Sequence, residues 1–235
     1  MRKLCVYIHV LIVCAVYWVK CHRIKQQIDA YLHLNLTTIV ETLEIPKWKV
    51  EEAHKIMQDI YSRSNLPIQI TCNQITYANM HPPASESAHD IQSDYNQQIN
   101  GIDLFNGLKS ITAKIRRSSP QEEKDQPIFF LHLEKDPSVY GASIEGGLLN
   151  GNPIAVCTVK PDDTPKEIGE TMAHELAHLL GAPHDMLGSP CASPEYLMEK
   201  TYTKTLHQKV FSPCSIEAMK KHLRKNETER GKVEA

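Results

Sequence analysis

His174-Glu175-Leu176-Ala177-His178-Leu179-Leu180-Gly181-Ala182-Pro183-His184-Asp185 sets three histidines, a glutamate and a glycine at fixed intervals in a 235-residue chain. Just upstream, Thr164-Pro165-Lys166-Glu167 carries two helix-start signals: a Thr-x-x-Glu capping box and a proline at the first helical position. Ile168, Met172, Leu176 and Leu179 then supply an apolar face, and Gly181 suits the left-handed residue past a helix end. These signals predict one helix over residues 165–180. On it His174 and His178 stand one turn apart on the same face, the spacing that lets two imidazoles bind one ion. Gly181 permits the chain to reverse, and His184 returns three residues later as a third ligand. Zinc suits such a donor set and, in catalytic sites, keeps one position open for water. Glu175 adjoins His174, within reach of that water without being a ligand. The expectation is a single catalytic Zn2+ on His174, His178 and His184, with Glu175 as general base and no nucleophilic side chain. With Asp185 as the sixth, six fixed positions at about one in twenty each make the string roughly a one-in-10⁸ event per start point, so chance placement on a surface helix is set aside.

Upstream, Ile28 to Leu36 alternates apolar and polar residues as a half-buried strand does. Pro46 opens a helix, with Trp48, Ala53, Ile56, Met57 and Ile60 at helical spacing up to Ser64. Residues 66–77 read as a second strand, 79–93 as a surface loop, and 101–117 as another amphipathic helix. Pro127 to Leu133 is apolar enough for a buried central strand, and 140–159 holds two more strands joined by Gly-rich and Asn-Gly turns. Strands interleaved with helices predict an α/β layered fold, and no linker divides the chain before Gly181.

The N-terminus reads differently. Arg2 and Lys3 precede a nearly uncharged run from Leu4 to Val19, then Val19-Lys20-Cys21. That is the layout of a cleaved secretory signal over residues 1–21, and the run is short for a membrane span. The expected domain is therefore 22–235, exported, with no stable membrane anchor. Removing residues 1–21 takes away Arg2, Lys3 and Lys20 and no acid, moving the formal charge from −2 to −5. Such a chain has no basic field for nucleic acid. Four of seven cysteines remain, Cys72, Cys157, Cys191 and Cys214, an even number that suggests two disulfides in any of three connectivities. Asn35 and Asn226 head N-glycosylation sequons. His132, inside the apolar run, reads as a hydrogen-bonded structural residue. His54, His81, His89, His207 and His222 lack ligand spacing and read as surface residues.

At the histidine string the sequence resembles the reprolysin (adamalysin-like) branch of the metzincins, which carries an aspartate after the third histidine, here Asp185. Tyr196-Leu197-Met198 resembles that family's Met-turn, with Met198 as an apolar floor beneath the metal. Phe211-Ser212-Pro213-Cys214-Ser215 is similar to the segment before its final helix, here Ile216 to Leu223. Gly141 to Gly147 resembles its substrate-binding edge strand, which implies Gly141, Ala142, Ser143, Gly146 and Gly147 in the cleft and a peptide added in extended form. The resemblance implies a mixed, mostly parallel twisted sheet with long helices, an active-site helix and a small C-terminal subdomain after Gly181. It also implies a zinc endopeptidase acting on protein or peptide substrates as a monomer. In detail the chain looks most like the small venom or salivary metalloproteases of arachnids (antarease-like), which implies a toxin role.

Three features depart from that pattern. Ala177 replaces a glycine common between the histidines. Leu148 and Leu149 stand where a cysteine is usual, so the family's link maps to Cys157–Cys214 and leaves Cys72–Cys191. With a signal over residues 1–21 and a first strand from about Ile28, no long inhibitory propeptide is expected between them. Two other functions compete: a catalytically silent binding module or toxin, against which the intact Glu175 argues, and a zinc hydrolase of non-peptide amides.

Overall fold

The computed structural model describes residues 32–77, 126–134, 139–186, 188–201 and 203–233, with the side chains of 226–233 left aside. The loop expected at 79–93 and the helix expected at 101–117 lie outside the described residues, as do residues 1–21, His81 and His89. Strands are β1 (Leu32–Val40), β2 (Ile68–Tyr77), β3 (Ile128–Leu133), β4 (Gly141–Ser143) and β5 (Ile154–Val159). Helices are α1 (Lys47–Arg63), α2 (Pro165–Leu179) and α3 (Pro213–Val233).

The strands form one sheet in the order β2-β1-β3-β5-β4. Every neighbouring pair is parallel except β4 with β5, which is antiparallel and makes β4 an edge. This is the mixed, mostly parallel α/β sheet expected. Parallel strands buried on both faces are apolar at nearly every position, and β3 and β5 show it. Phe129, Leu131, Ala155, Cys157 and Val159 face the main core with α1 and α2, while Ile128, Phe130, Ile154 and Val156 form a second cluster.

Two boundaries move. β1 runs four residues past Leu36, because Thr38 and Val40 continue the buried alternation and Thr37 to Val40 pair with β3. Residues 28–31 lie outside the described part. α3 starts at Pro213, because Ser212 supplies its cap and Pro213 its first position, and it continues to Val233, well beyond Leu223.

His54 is a correction. It is 4% exposed on the inner face of α1, its Nε2 2.9 Å from Thr38 Oγ1. It follows Val50 by four residues and precedes Met57 by three, so it belongs to the buried stripe. Burial pushes its pKa down to about 4, partly offset by Glu51. A histidine whose folded pKa lies below its unfolded value costs nothing above pH 6.5, and its stabilising neutrality is lost as pH falls from there toward 4. Urea midpoints measured from pH 7 to pH 4 should fall less for His54→Gln than for the native chain, by up to about 3 kcal/mol in the derived stability. His222 likewise is no plain surface residue: its ring packs against Gly146 and Gly181. His207 is exposed, as expected. His132 Nδ1 lies 2.5 Å from Glu41 Oε2 in a half-buried pair that holds the ends of β1 and β3 together.

Candidate metal centre

Both ends of α2 follow local chemistry. Thr164 Oγ1 accepts from Glu167 N, and the Glu167 carboxylate accepts from Thr164 N at 2.7 Å, which completes the capping box. At the other end Gly181 has φ +89°, a conformation that favours glycine. The Gly181 and Ala182 amides donate to the His178 and Ala177 carbonyls, a Schellman turn. That turn frees the Ala182 carbonyl to accept from His178 Nδ1 at 2.7 Å.

The reversal brings His184 onto the two helical histidines. Its Nε2 stands 3.2 Å from His174 Nε2 and 3.2 Å from His178 Nε2. Ligand atoms from all three lie within 4.8 Å of one another, a cluster able to hold one metal ion. His174 Nδ1 is 2.7 Å from the Leu197 carbonyl. A carbonyl only accepts, so Nδ1 carries the proton in both His174 and His178 and Nε2 presents its lone pair. Burial above all lowers the pKa of His174 to about 3 and of His178 to about 4, and His184 moves down for the same reason. With His184 in the same tautomer, three Nε2 lone pairs converge at 3.2 Å, an arrangement that a cation between them stabilises. Tetrahedral zinc at about 2.0–2.1 Å from each nitrogen sets them about 3.4 Å apart, so the donor set fits zinc.

Glu175 points elsewhere. It is 4% exposed, and its carboxylate lies against Gly141 and Ser143 of β4. Burial raises its pKa to about 7 against the opposing hydrogen bond from Ser143. Of the cleft residues expected from the sequence, Gly141, Ala142 and Ser143 form β4. Gly146 and Gly147 fall in the turn beyond it, where the Gly146 amide donates to the His178 carbonyl.

The segment after His184 is held by side chains that spacing alone does not reveal. Asp185 Oδ1 accepts from Ser212 Oγ at 2.8 Å and Ser215 Oγ at 3.1 Å, and Ser212 Oγ accepts from Ser215 N at the start of α3. A carboxylate there also meets the positive end of the helix. The Asp185 amide donates to the Met198 carbonyl at 2.7 Å, and Met198 is fully buried beside Leu197, whose carbonyl orients His174.

The disulfide is a second correction. Cys191 pairs with Cys214, while Cys72 and Cys157 are free thiols. Two strands separate β2, which carries Cys72, from β5, which buries Cys157, so these two thiols do not pair with each other. Burial pushes the Cys72 thiol up to about 12 and the Cys157 thiol up as well, leaving both unreactive. The bridge closes a loop of sequence separation 23. Denaturant titration of the Cys191→Ser, Cys214→Ser double variant should show a loss of about 3 kcal/mol.

The three converging imidazoles form a donor set that could hold a metal ion, with the Glu175 carboxylate buried against the neighbouring strand β4. Residues 103–229, the whole histidine string included, match the Reprolysin (M12B) family of zinc metalloproteases, and the chain belongs to that family. It is 25% identical over 177 residues to the zinc metalloproteinase-disintegrin-like atragin of Naja atra, covering 75% of this chain and 26% of that protein. The chain therefore spans about a quarter of that relative's length. The crystal structure of metalloproteinase-II from Bacteroides fragilis is similar in fold, with TM-score 0.53 and 18% identity over 81% of this chain and 52% of that one.

Proposed function

We propose that this chain is a secreted zinc-dependent endopeptidase, monomeric, and a venom or salivary component. The observation that carries the reading is one arrangement: three histidine nitrogens gathered at one point, with Glu175 buried between them in sequence and held against the open edge strand β4. His174, His178 and His184 would hold one zinc ion, and Met198 would lie beneath it. A zinc ion held there supplies a Lewis acid that polarises a carbonyl and lowers the pKa of a coordinated water to about 7. The outer edge of β4 carries no strand among the described residues, so an extended peptide can add to it by main-chain hydrogen bonds. Glu175 accepts the proton of the attacking water at a carboxylate oxygen and passes it to the leaving nitrogen. Its raised pKa suits a group that must both take and give a proton near neutrality.

Export is supported by the N-terminal pattern, the Cys191–Cys214 bridge and an exposed Asn35, although that asparagine lies within β1 and Asn226 lies in α3 with its side chain undescribed. No helix among the described residues is long and apolar enough to cross a membrane. The test is cleavage of an unfolded protein substrate by the refolded chain. Expected are internal cuts, lost with a zinc chelator and restored by added zinc. A folded, zinc-loaded chain that cuts nothing would point instead to a binding module.

A further inference from the structure

β4 is three residues long, yet two of them are shaped to one side chain. Residues two apart on a strand share a face, and Gly141 and Ser143 share the face toward α2. A Cβ on Gly141 would stand 2.3 Å from Glu175 Oε1 and 2.7 Å from its Cδ, so only a residue without a side chain leaves room for the carboxylate. Ser143 Oγ donates to the other oxygen, Oε2, at 2.5 Å and lies 3.1 Å from the Glu175 main-chain carbonyl. One oxygen thus lies on the glycine and the other is gripped by the serine. A hydroxyl bound to a carboxylate is among the shorter and stronger hydrogen bonds, and here one partner, Glu175, is itself buried.

The strand that grips the carboxylate is itself fixed on one side only. Gly141, Ala142 and Ser143 pair with Cys157, Val156 and Ala155 of β5, and the opposite edge is the one offered to substrate. We propose that Ser143 is a positioning residue: with Gly141 as seat, it fixes the Glu175 carboxylate to the strand that receives the peptide. Docking of substrate and placement of the general base then share one support. This rests on the endopeptidase reading, with Glu175 as base, and adds to it a residue that acts through that base.

Steady-state kinetics on a peptide substrate test it, alongside zinc affinity measured by competition with a chromophoric chelator. Ser143→Ala should lower kcat about tenfold, with KM and zinc affinity changed less than about twofold. Ser143→Thr keeps the hydroxyl and should recover most of the loss. The proposal is overturned by Ser143→Ala with native kcat in a chain that Glu175→Ala silences. It is equally overturned by a loss of rate that tracks a loss of zinc affinity, which would mark a structural role. A native chain that does not cleave at all removes the endopeptidase reading and this proposal together, so the two failures are distinguishable.

Discussion

Glu175→Ala is expected to lower kcat/KM for peptide cleavage by about 10³-fold while the chain stays folded and keeps its zinc. The reason lies in where the side chain points. Glu175 follows a histidine of the cluster, but its carboxylate lies on β4, against Gly141 and Ser143, and takes no part in the three-histidine cluster. Removing it therefore leaves the donor set whole. The fold loses a desolvated carboxylate whose burial opposes its own ionisation, and it loses the hydrogen bond from Ser143, whose hydroxyl keeps the main-chain carbonyl of residue 175 as acceptor. These terms oppose each other, so the thermal midpoint should move little. Glu175→Gln, which keeps the shape, should be as inactive as the alanine variant. Retention of the native rate by either variant would remove Glu175 from the chemistry.

His184→Ala has the second large effect, through the opposite link. It should weaken zinc binding by at least about a hundredfold, since loss of an outer partner alone costs tenfold to a hundredfold, and cleavage should vanish with the metal. His174 and His178 remain on α2, held by Leu197 and Ala182, but two imidazoles leave the cluster incomplete. Acidification acts on the same donors. Zinc needs neutral imidazoles, so protons compete with it and affinity falls as pH falls. Burial already holds His174 and His178 down at about 3 and about 4, which places that competition below the range of an exposed histidine. Metal analysis of both proteins after dialysis at pH 7, pH 5 and pH 3 reads the two effects, with native zinc kept at pH 5 and lost toward pH 3. Undiminished zinc in His184→Ala would exclude it as a ligand.

What the sequence made legible was what local chemistry decides. The capping box at Thr164, the proline after it and the positive-φ glycine at 181 bound α2 within one residue of the observed helix, and helix spacing then aligns His174 with His178. The alternation in β1 and the apolar runs of β3 and β5 were readable for the same reason. Long-range pairing was not. The disulfide depends on the start of α3 lying over the segment after His184, which Asp185, Ser212 and Ser215 arrange across 27 to 30 residues. The expected Cys157–Cys214 bridge does not form because Cys214 pairs with Cys191, and Cys157 stays a buried thiol in β5. His54 was readable in principle, since its spacing to Val50 and Met57 places it on the buried stripe, but a polar residue there is easily assigned to the surface. No spacing rule links Ser143 to Glu175, 32 residues apart.

On the proposed reading, one zinc ion on three histidines makes this chain an endopeptidase. The most direct test of that reading is a zinc titration of the metal-stripped chain, with cleavage of an unfolded protein followed at each step. The stripped chain should be inactive, and activity should rise linearly and level off at about one zinc per chain. Full cleavage by the stripped chain, or no cleavage at any zinc loading by a folded one, would contradict the account.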